Sequence, residues 1–442
     1  MSHYKPYPEY KDSGAEWIGK VPADWEVRRL RHIAVFTNSN VDKKSYDDQE
    51  TVKLCNYTDV YYNEFIRANL GFMQATASPS EIAQFSLKKG DVIITKDSED
   101  PADIGIPSIV SEDIHGVVCG YHLTLIRTDD LNTARYLHRV LQAHPTKAHF
   151  FVEAPGITRY GLGQDAIGDI RVCLPPVEHR AEIADQLDRE TTRIDSLIAK
   201  KTRFIELLKE KRQALITHAV TKGLDPHAKM KDSGVEWIGD IPGHWEVRRM
   251  AMLFREAVRL GDPSLPVLSI SIHDGITDEE LAPEDRERQV YKIEDRTKYK
   301  RVVPNDLAYN MMRAWQGAFG AVTVDGLVSP AYVVAEPIIS LHTGFVENLL
   351  RTSMAIEEMR RFSRGIADFR MRLYWDYFRD LKICLPPLEE QAQILSNIAK
   401  ESKRLDALAG KTQHSIDLLK ERRAALITAA VTGQIDLRGE TI

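Results

Sequence analysis

Apolar side chains between residues 183 and 215 fall at alternating steps of three and four: Ile183, Leu187, Ile194, Leu197, Phe204, Leu208 and Leu215. That spacing lays one apolar seam along a helix, with 183, 190, 197 and 204 as one track and 187, 194, 201, 208 and 215 as the other. The same tracks return in Ile394, Ile398, Leu405, Leu408, Leu419 and Leu426. Positions between them are mostly Glu, Lys, Arg, Gln and Ala, which favour helix and place charge on the outer faces. Pro175-Pro176 and Pro386-Pro387 precede each helix, where proline is tolerated, and Gly223 follows the first. A helix over residues 177–221 would be roughly 65 Å long. It cannot bury its seam alone, and two copies in one chain supply each other's partner. The pattern therefore predicts a pair of long coiled-coil helices whose interface is built from these leucines and isoleucines.

Alternating apolar runs broken by turn residues predict strands elsewhere. In residues 31–172 these are 91–95, 108–110, 116–127 and 169–174, with a helix over 131–144. In residues 251–383 they are 266–270, 305–312, 318–324, 331–338 and 380–385, with a helix over 348–362. Strands with few interleaved helices point to two compact α+β inserts.

The chain is its own comparison. Residues 173–225 and 384–436 align without a gap at an offset of 211 and are identical at 26 of 53 positions. Residues 11–30 and 231–250, KDSG-EWIG followed by WEVRR, are identical at 14 of 20. A period of half the chain means duplication of a domain-sized unit. The expected organisation is a head repeat (1–30), an insert (31–172), a helix segment (173–225), a second head (226–250), a second insert (251–383) and a second helix segment (384–442). The paired tryptophans Trp17 and Trp25, and Trp237 and Trp245, are expected to be buried anchors. The inserts are only faintly alike: Asp91 aligns with Asp306, Gly105 with Gly320, Tyr121 with Tyr332, Arg159 with Arg370, Asp165 with Asp376 and Asp169 with Asp380. A duplicated frame around two diverged inserts implies two related but distinct binding tasks.

Composition narrows the chemistry. Four cysteines without metal spacing fit a reducing setting, and no apolar run reaches the length of a membrane span. There is no phosphate-binding GxxxxGK[ST] loop, no HExxH and no nucleophile elbow. The GLGQ at 161–164 lacks a third glycine, and LPPVE and LPPLE are not the Asn/Asp-Pro-Pro-aromatic tetrapeptide of adenine methyltransferases. No catalytic residue, metal site or bound cofactor is expected in this chain. The formal net charge is −6, with acidic residues outnumbering basic ones in each insert.

At its repeats the chain resembles the specificity subunit of type I restriction-modification systems. The likeness rests on LPPxExxxxI and LLKExRxALITxAVT in each helix segment, on KDSGxEWIGxxPxxWEVRR in each head, and on NDLAYNMMRAWQGAFGAV with GLVSPAYVV in the second insert. It implies that the inserts are target recognition domains, each reading one half of a bipartite, asymmetric site in double-stranded DNA. It implies an antiparallel coiled coil that holds them apart, and conserved segments that dock modification subunits. Those partners would carry S-adenosylmethionine, and restriction subunits would add ATP and Mg2+, leaving this chain without catalysis, in a bacterial or archaeal cytoplasm. Two copies of the docking segments imply two modification subunits. Half-sites lie about one helical turn, roughly 34–36 Å, apart, which helices of the length above can span. The acidic balance is then explained if partners supply much of the phosphate contact. A coiled-coil protein scaffold without DNA reading, and a stand-alone methyltransferase or nuclease, are the competing readings.

Within that reading, Asn310, Arg313, Trp315 and Gln316 follow a predicted strand and carry the side chains that pair with adenine and guanine edges. The aligned stretch of the first insert, Thr95 to Asp100, supplies Lys96 and Ser98. Arg159, with Tyr160 beside it, and Arg370 recur in both inserts and are assigned to phosphate.

Overall fold

The computed structural model describes residues 4–272, 275–280, 295–365 and 371–439. It divides into two compact units, Met1–Thr202 with Gln413–Ile442, and Arg203–Thr412. Both divisions fall inside the two long helices, Val177–Lys222 and Leu388–Val431.

In the first unit the head forms a hairpin, Tyr10–Asp12 against Lys20–Pro22. Its next strand, Glu26–Arg29, pairs antiparallel with Arg171–Leu174, the last strand before the helix. Between these ends lies a five-stranded sheet in the order Val35–Asn38, Leu123–Arg127, Val92–Thr95, Pro107–Val110, Phe65–Ile66. A three-stranded sheet, Val117–Cys119, Glu50–Cys55 and Met73–Ala77, covers one face, and the helix Leu131–Gln142 covers the other. Val92 and Ile94 enter the core on the helix side and Ile93 the core on the opposite side. A strand buried on both faces reads as an unbroken apolar run, as here.

The second unit repeats the plan. Its head hairpin is Met230–Asp232 with Asp240–Pro242, and Glu246–Arg249 pairs with Lys382–Leu385. Its sheet runs Phe254–Glu256, Tyr332–Pro337, Leu307–Asn310, Phe319–Ala321, and helices Thr343–Leu350 and Ser353–Phe362 follow. Asp91 and Asp306 do one job in both. Each caps its own turn, accepting from the N–H of Lys88 or Val303 at 2.9 Å, and each pairs with an arginine, Arg127 or Arg259.

Strand register corrects two of the aligned pairs. Thr95 pairs with Leu123 and Asn310 with Tyr332, so Tyr332 stands where Leu123 does, not Tyr121. Ser108 lies opposite Ile93 and Gly320 opposite Ala308, so Gly320 stands where Ser108 does, not Gly105. Intervening loops of different length moved the register.

Helix segments pack antiparallel within each unit. In the first, Ile183, Leu187 and Ile194 share a core with Leu426, Ile427 and Ala430, and Arg423 meets Asp195 at 2.9 Å. In the second, Ala219 and Val220 share a core with Ile394 and Ile398, with Leu215 packed against it, and Arg212 faces Asp406. Leu208 and Leu405 are buried and Leu419 is half-buried. Leu197 and Leu408 depart from expectation: they are 40% and 41% exposed. The seam passes instead through Ile198 and Ala409, which are half-buried. Its track runs one residue later than apolarity suggested because it admits polar members. Thr191 and Thr412 are buried and donate to the carbonyls of Leu187 and Leu408 at 2.7 and 2.8 Å, so neither needs water. The heads are also half as expected. Trp25 and Trp245 are fully buried, but Trp17 is 58% exposed and Trp237 half-buried.

An ionic network locks the first insert onto its helices. The buried Arg139 reaches Glu64 and Asp188, and Glu64 also meets Arg423. The arginines hold the carboxyls of Glu64 and Asp188 below their ordinary range against the upward push of burial. Beside them burial, aided by Arg139, lowers the His138 imidazole to about 4.

Two predictions follow from this packing. Leu208→Asp should lower the thermal unfolding free energy by at least about 2 kcal/mol, whereas Leu197→Asp should leave it near wild type. Equal effects would place the seam elsewhere. His138 is neutral when folded and protonates when unfolded, so the unfolded chain binds the extra proton between about pH 4 and 6.5. Stability should fall by roughly 3 kcal/mol as pH drops through that window. Calorimetry should show part of that loss removed in His138→Gln; an unchanged acid limb in that variant would contradict the assignment. The carboxylates add to the same acid limb below about pH 4.3, because their folded values are depressed.

Candidate nucleic-acid interface

In the first unit three separated segments meet at the carboxyl end of Val92–Thr95. Asp97–Ser98 pairs antiparallel with Tyr160–Gly161. The N–H of Leu162 donates to Lys96 O at 2.8 Å, and the N–H of Lys96 donates to His122 O at 2.9 Å. Lys96, Ser98, Arg159 and Tyr160, read from places sixty residues apart in sequence, are therefore brought together. Lys96 Nζ sits 4.8 Å from the Tyr121 ring. His122 Nδ1 lies 2.6 Å from Asp97 Oδ2, and Arg159 Nη2 lies 3.1 and 3.4 Å from the two His122 ring nitrogens. Ser98 Oγ accepts from the N–H of Asp100 at 3.1 Å, so it also shapes its own turn. Tyr160 is half-buried and packs against the core as a wall of the site.

Asp97 lies in the stretch Thr95 to Asp100 without having been singled out, and Tyr121, His122 and the aromatic tier beside them were not legible as site residues. Tyr57 and Tyr61 stack at 5.6 Å. Tyr61 bonds to Asp103, which pushes its phenol up to about 12.

The second unit builds its site at the same place. The N–H of Leu373 donates to Met311 O at 2.8 Å, the counterpart of Leu162 on Lys96. Asn310 is 8% exposed, and its Oδ1 accepts from the N–H of Met312 at 3.0 Å, which folds its side chain into the turn. Arg313 Nε donates to Gln316 Oε1 at 3.1 Å, and Trp315 Nε1 donates to Met312 O at 3.0 Å. Gly317 closes the turn at φ 92°, where a Cβ would also press on Ile356 of the following helix at 3.1 Å. The turn is thereby seated on Ser353–Phe362, whose Arg360 lies 5.1 Å from the Trp315 ring. Arg364 rests over Tyr377 at 4.7 Å, and its backbone bridges Arg372. Arg370 lies outside the described residues.

Arg360, Arg364 and Arg372 were missed, although five arginines in residues 360–372 were a visible signal. Of these five only Arg370 was singled out, because it recurs opposite Arg159. The result is a surface of guanidinium groups and aromatic rings in the second unit, and a mixed acid, imidazole and cation surface in the first.

Among the described residues no group of His, Cys, Asp and Glu could hold a metal ion, and the four cysteines are buried and unpaired. No described helix is long and apolar enough to cross a membrane.

Residues 22–207 match the type I restriction modification DNA specificity domain. Those residues include the first insert and the greater part of the first long helix. It is similar to the putative type I restriction enzyme MjaX specificity subunit of Methanocaldococcus jannaschii, 25% identical over 232 residues, which is 52% of each chain. The MjaVIII specificity subunit of that organism is 22% identical over 231 residues, 52% of this chain and 49% of that one. The chain thus spans about half the length of the curated relatives it matches. Two solved structures share the fold. One, from a study of complex assembly and conformational transition of the type I R-M system, has a TM-score of 0.64 at 14% identity and covers 93% of this chain and 98% of that one. The other, the HsdS subunit from Thermoanaerobacter tengcongensis, has a TM-score of 0.51 at 15% identity and covers 94% and 98%. These two likenesses are of fold alone, at 14% and 15% identity.

Proposed function

We propose that this chain is the DNA-specificity subunit of a type I restriction-modification complex. The inserts, 31–172 and 251–383, each read one half of a bipartite asymmetric site in double-stranded DNA. One observation carries this reading. Two units of matching plan present their exposed polar loops at the same place, the carboxyl end of the buried central strand, with different chemistry in each. Two different half-sites need that arrangement, and a scaffold for protein partners does not.

The helix segments 173–225 and 384–442 act as an antiparallel coiled coil that sets the spacing between half-sites. The heads, 1–30 and 226–250, dock partners together with the helix starts. In both units the head strand pairs residue for residue with the strand leading into the helix, so a modification subunit would meet the same surface twice. Two modification subunits then bind S-adenosylmethionine, restriction subunits bind ATP and Mg2+, and this chain contributes recognition rather than catalysis, in the cytoplasm. Arg313 and Gln316, beside Trp315, face the base edges, while Asn310 shapes their turn. Lys96, Ser98 and Tyr160 frame the first site, and Arg370 grips phosphate.

Methylation mapping in cells carrying this chain and its modification partner should return one bipartite motif; scattered or absent methylation would overturn the reading. In the purified complex, Arg313→Ala should cost about 1–3 kcal/mol on the target and relax one base pair of the half read by 251–383. Arg364→Ala should weaken target and random duplex alike and reduce the salt slope by about 1. Equal losses on both duplexes for Arg313→Ala, measured by anisotropy across salt, would remove it from base reading.

A further inference from the structure

The chain Asp97–His122–Arg159 in the first unit is not required by the fold. His122 has φ 74°, a left-handed backbone uncommon for a residue with a Cβ, although histidine takes it more readily than most. By strand register its counterpart in the second unit is Ala331, which makes the equivalent turn without a positive φ. The shared frame therefore does not demand that backbone. What that backbone achieves is visible in the contacts. The carbonyl of His122 is fixed by the N–H of Lys96, and its ring is fixed by Asp97. The ring in turn supports the terminal nitrogen of Arg159, which is otherwise exposed. Gly161 leaves room for the arrangement, since a Cβ there would lie 3.2 Å from Asp97 Oδ1.

Arginine can pair two-pronged with phosphate as well as with a base, but phosphate oxygens accept from many directions and tolerate a mobile guanidinium. Two-pronged pairing with guanine O6 and N7 needs the guanidinium plane set in advance. Asp97 accepts the Nδ1 proton, which leaves Nε2, 3.4 Å from Arg159 Nη2, as the acceptor on the ring, so the imidazole meets the guanidinium at one terminal nitrogen. Resting on the DNA-reading proposal above, we infer that Arg159 reads a guanine in the half-site of the first domain. His122 and Asp97 act as positioning residues for it, so Arg159 moves from the phosphate role that recurrence suggested to base discrimination.

The test uses the full chain in complex with its modification partner, with methylation mapping and binding to target and random duplexes. Arg159→Lys keeps the charge and loses the two-pronged geometry. It should relax one guanine position in the half set by residues 31–172, with discrimination there falling on the order of tenfold to a hundredfold. His122→Ala should relax the same position, with binding to random duplex unchanged. The inference is overturned if Arg159→Lys leaves the motif intact while Arg159→Ala weakens target and random duplex equally. It is also overturned if His122→Ala relaxes a different position or none. Failure of the underlying reading would look different: the wild-type complex would then show no base-specific motif at all.

Discussion

Each insert is closed by four residues of antiparallel backbone. Glu26–Arg29 pairs with Arg171–Leu174, and Glu246–Arg249 pairs with Lys382–Leu385, in the same register. Everything between those ends can change as long as the ends still meet, and everything outside them is held by the same pairing. Arg29 meets Asp169 and Arg249 meets Asp380 at the rim of each closure. Behind it lie the fully buried Trp25 and Trp245. The parts of the chain that stayed alike, heads and helices, are the parts that make or flank this closure.

Inside the closure the sheet follows the same economy. The central strands are buried on both faces, so their apolar runs cannot vary freely, and Asp91 and Asp306 cap the turns that lead into them. The backbone bonds from Leu162 to Lys96 and from Leu373 to Met311 fix where the exposed loops leave. Beyond that point, among the described residues, the two units differ in their side-chain bonds. The first unit fills the space with Asp97, His122 and Arg159, and the second with Arg313, Arg360 and Arg364 around aromatic rings. On the DNA-reading proposal, recognition would vary at these exposed positions while the backbone beneath them is shared.

The long helices, the buried strand at 92–95 and the duplicated frame were legible because period and repetition are properties of sequence. The seam was misplaced by one residue at Leu197 and Leu408 because a hydrophobic pattern cannot see a threonine that satisfies its hydroxyl on the preceding turn. Tyr121 and Gly105 were matched to the wrong partners because loop lengths differ between the inserts, and only strand pairing restores the register. Lys96, Ser98, Arg159 and Tyr160 could be singled out one by one, but their meeting depends on the pairing of 97–98 with 160–161, sixty residues apart. His122 left no trace in sequence, since nothing in a residue name announces a left-handed backbone.

Exchange of residues 31–172 for the corresponding insert of a type I specificity subunit, followed by methylation mapping in cells with the modification partner, tests the central claim most directly. If each insert reads its own half-site inside a common frame, one half of the motif changes while the other half and the spacing stay as they were. A change in both halves, or in neither, would contradict it.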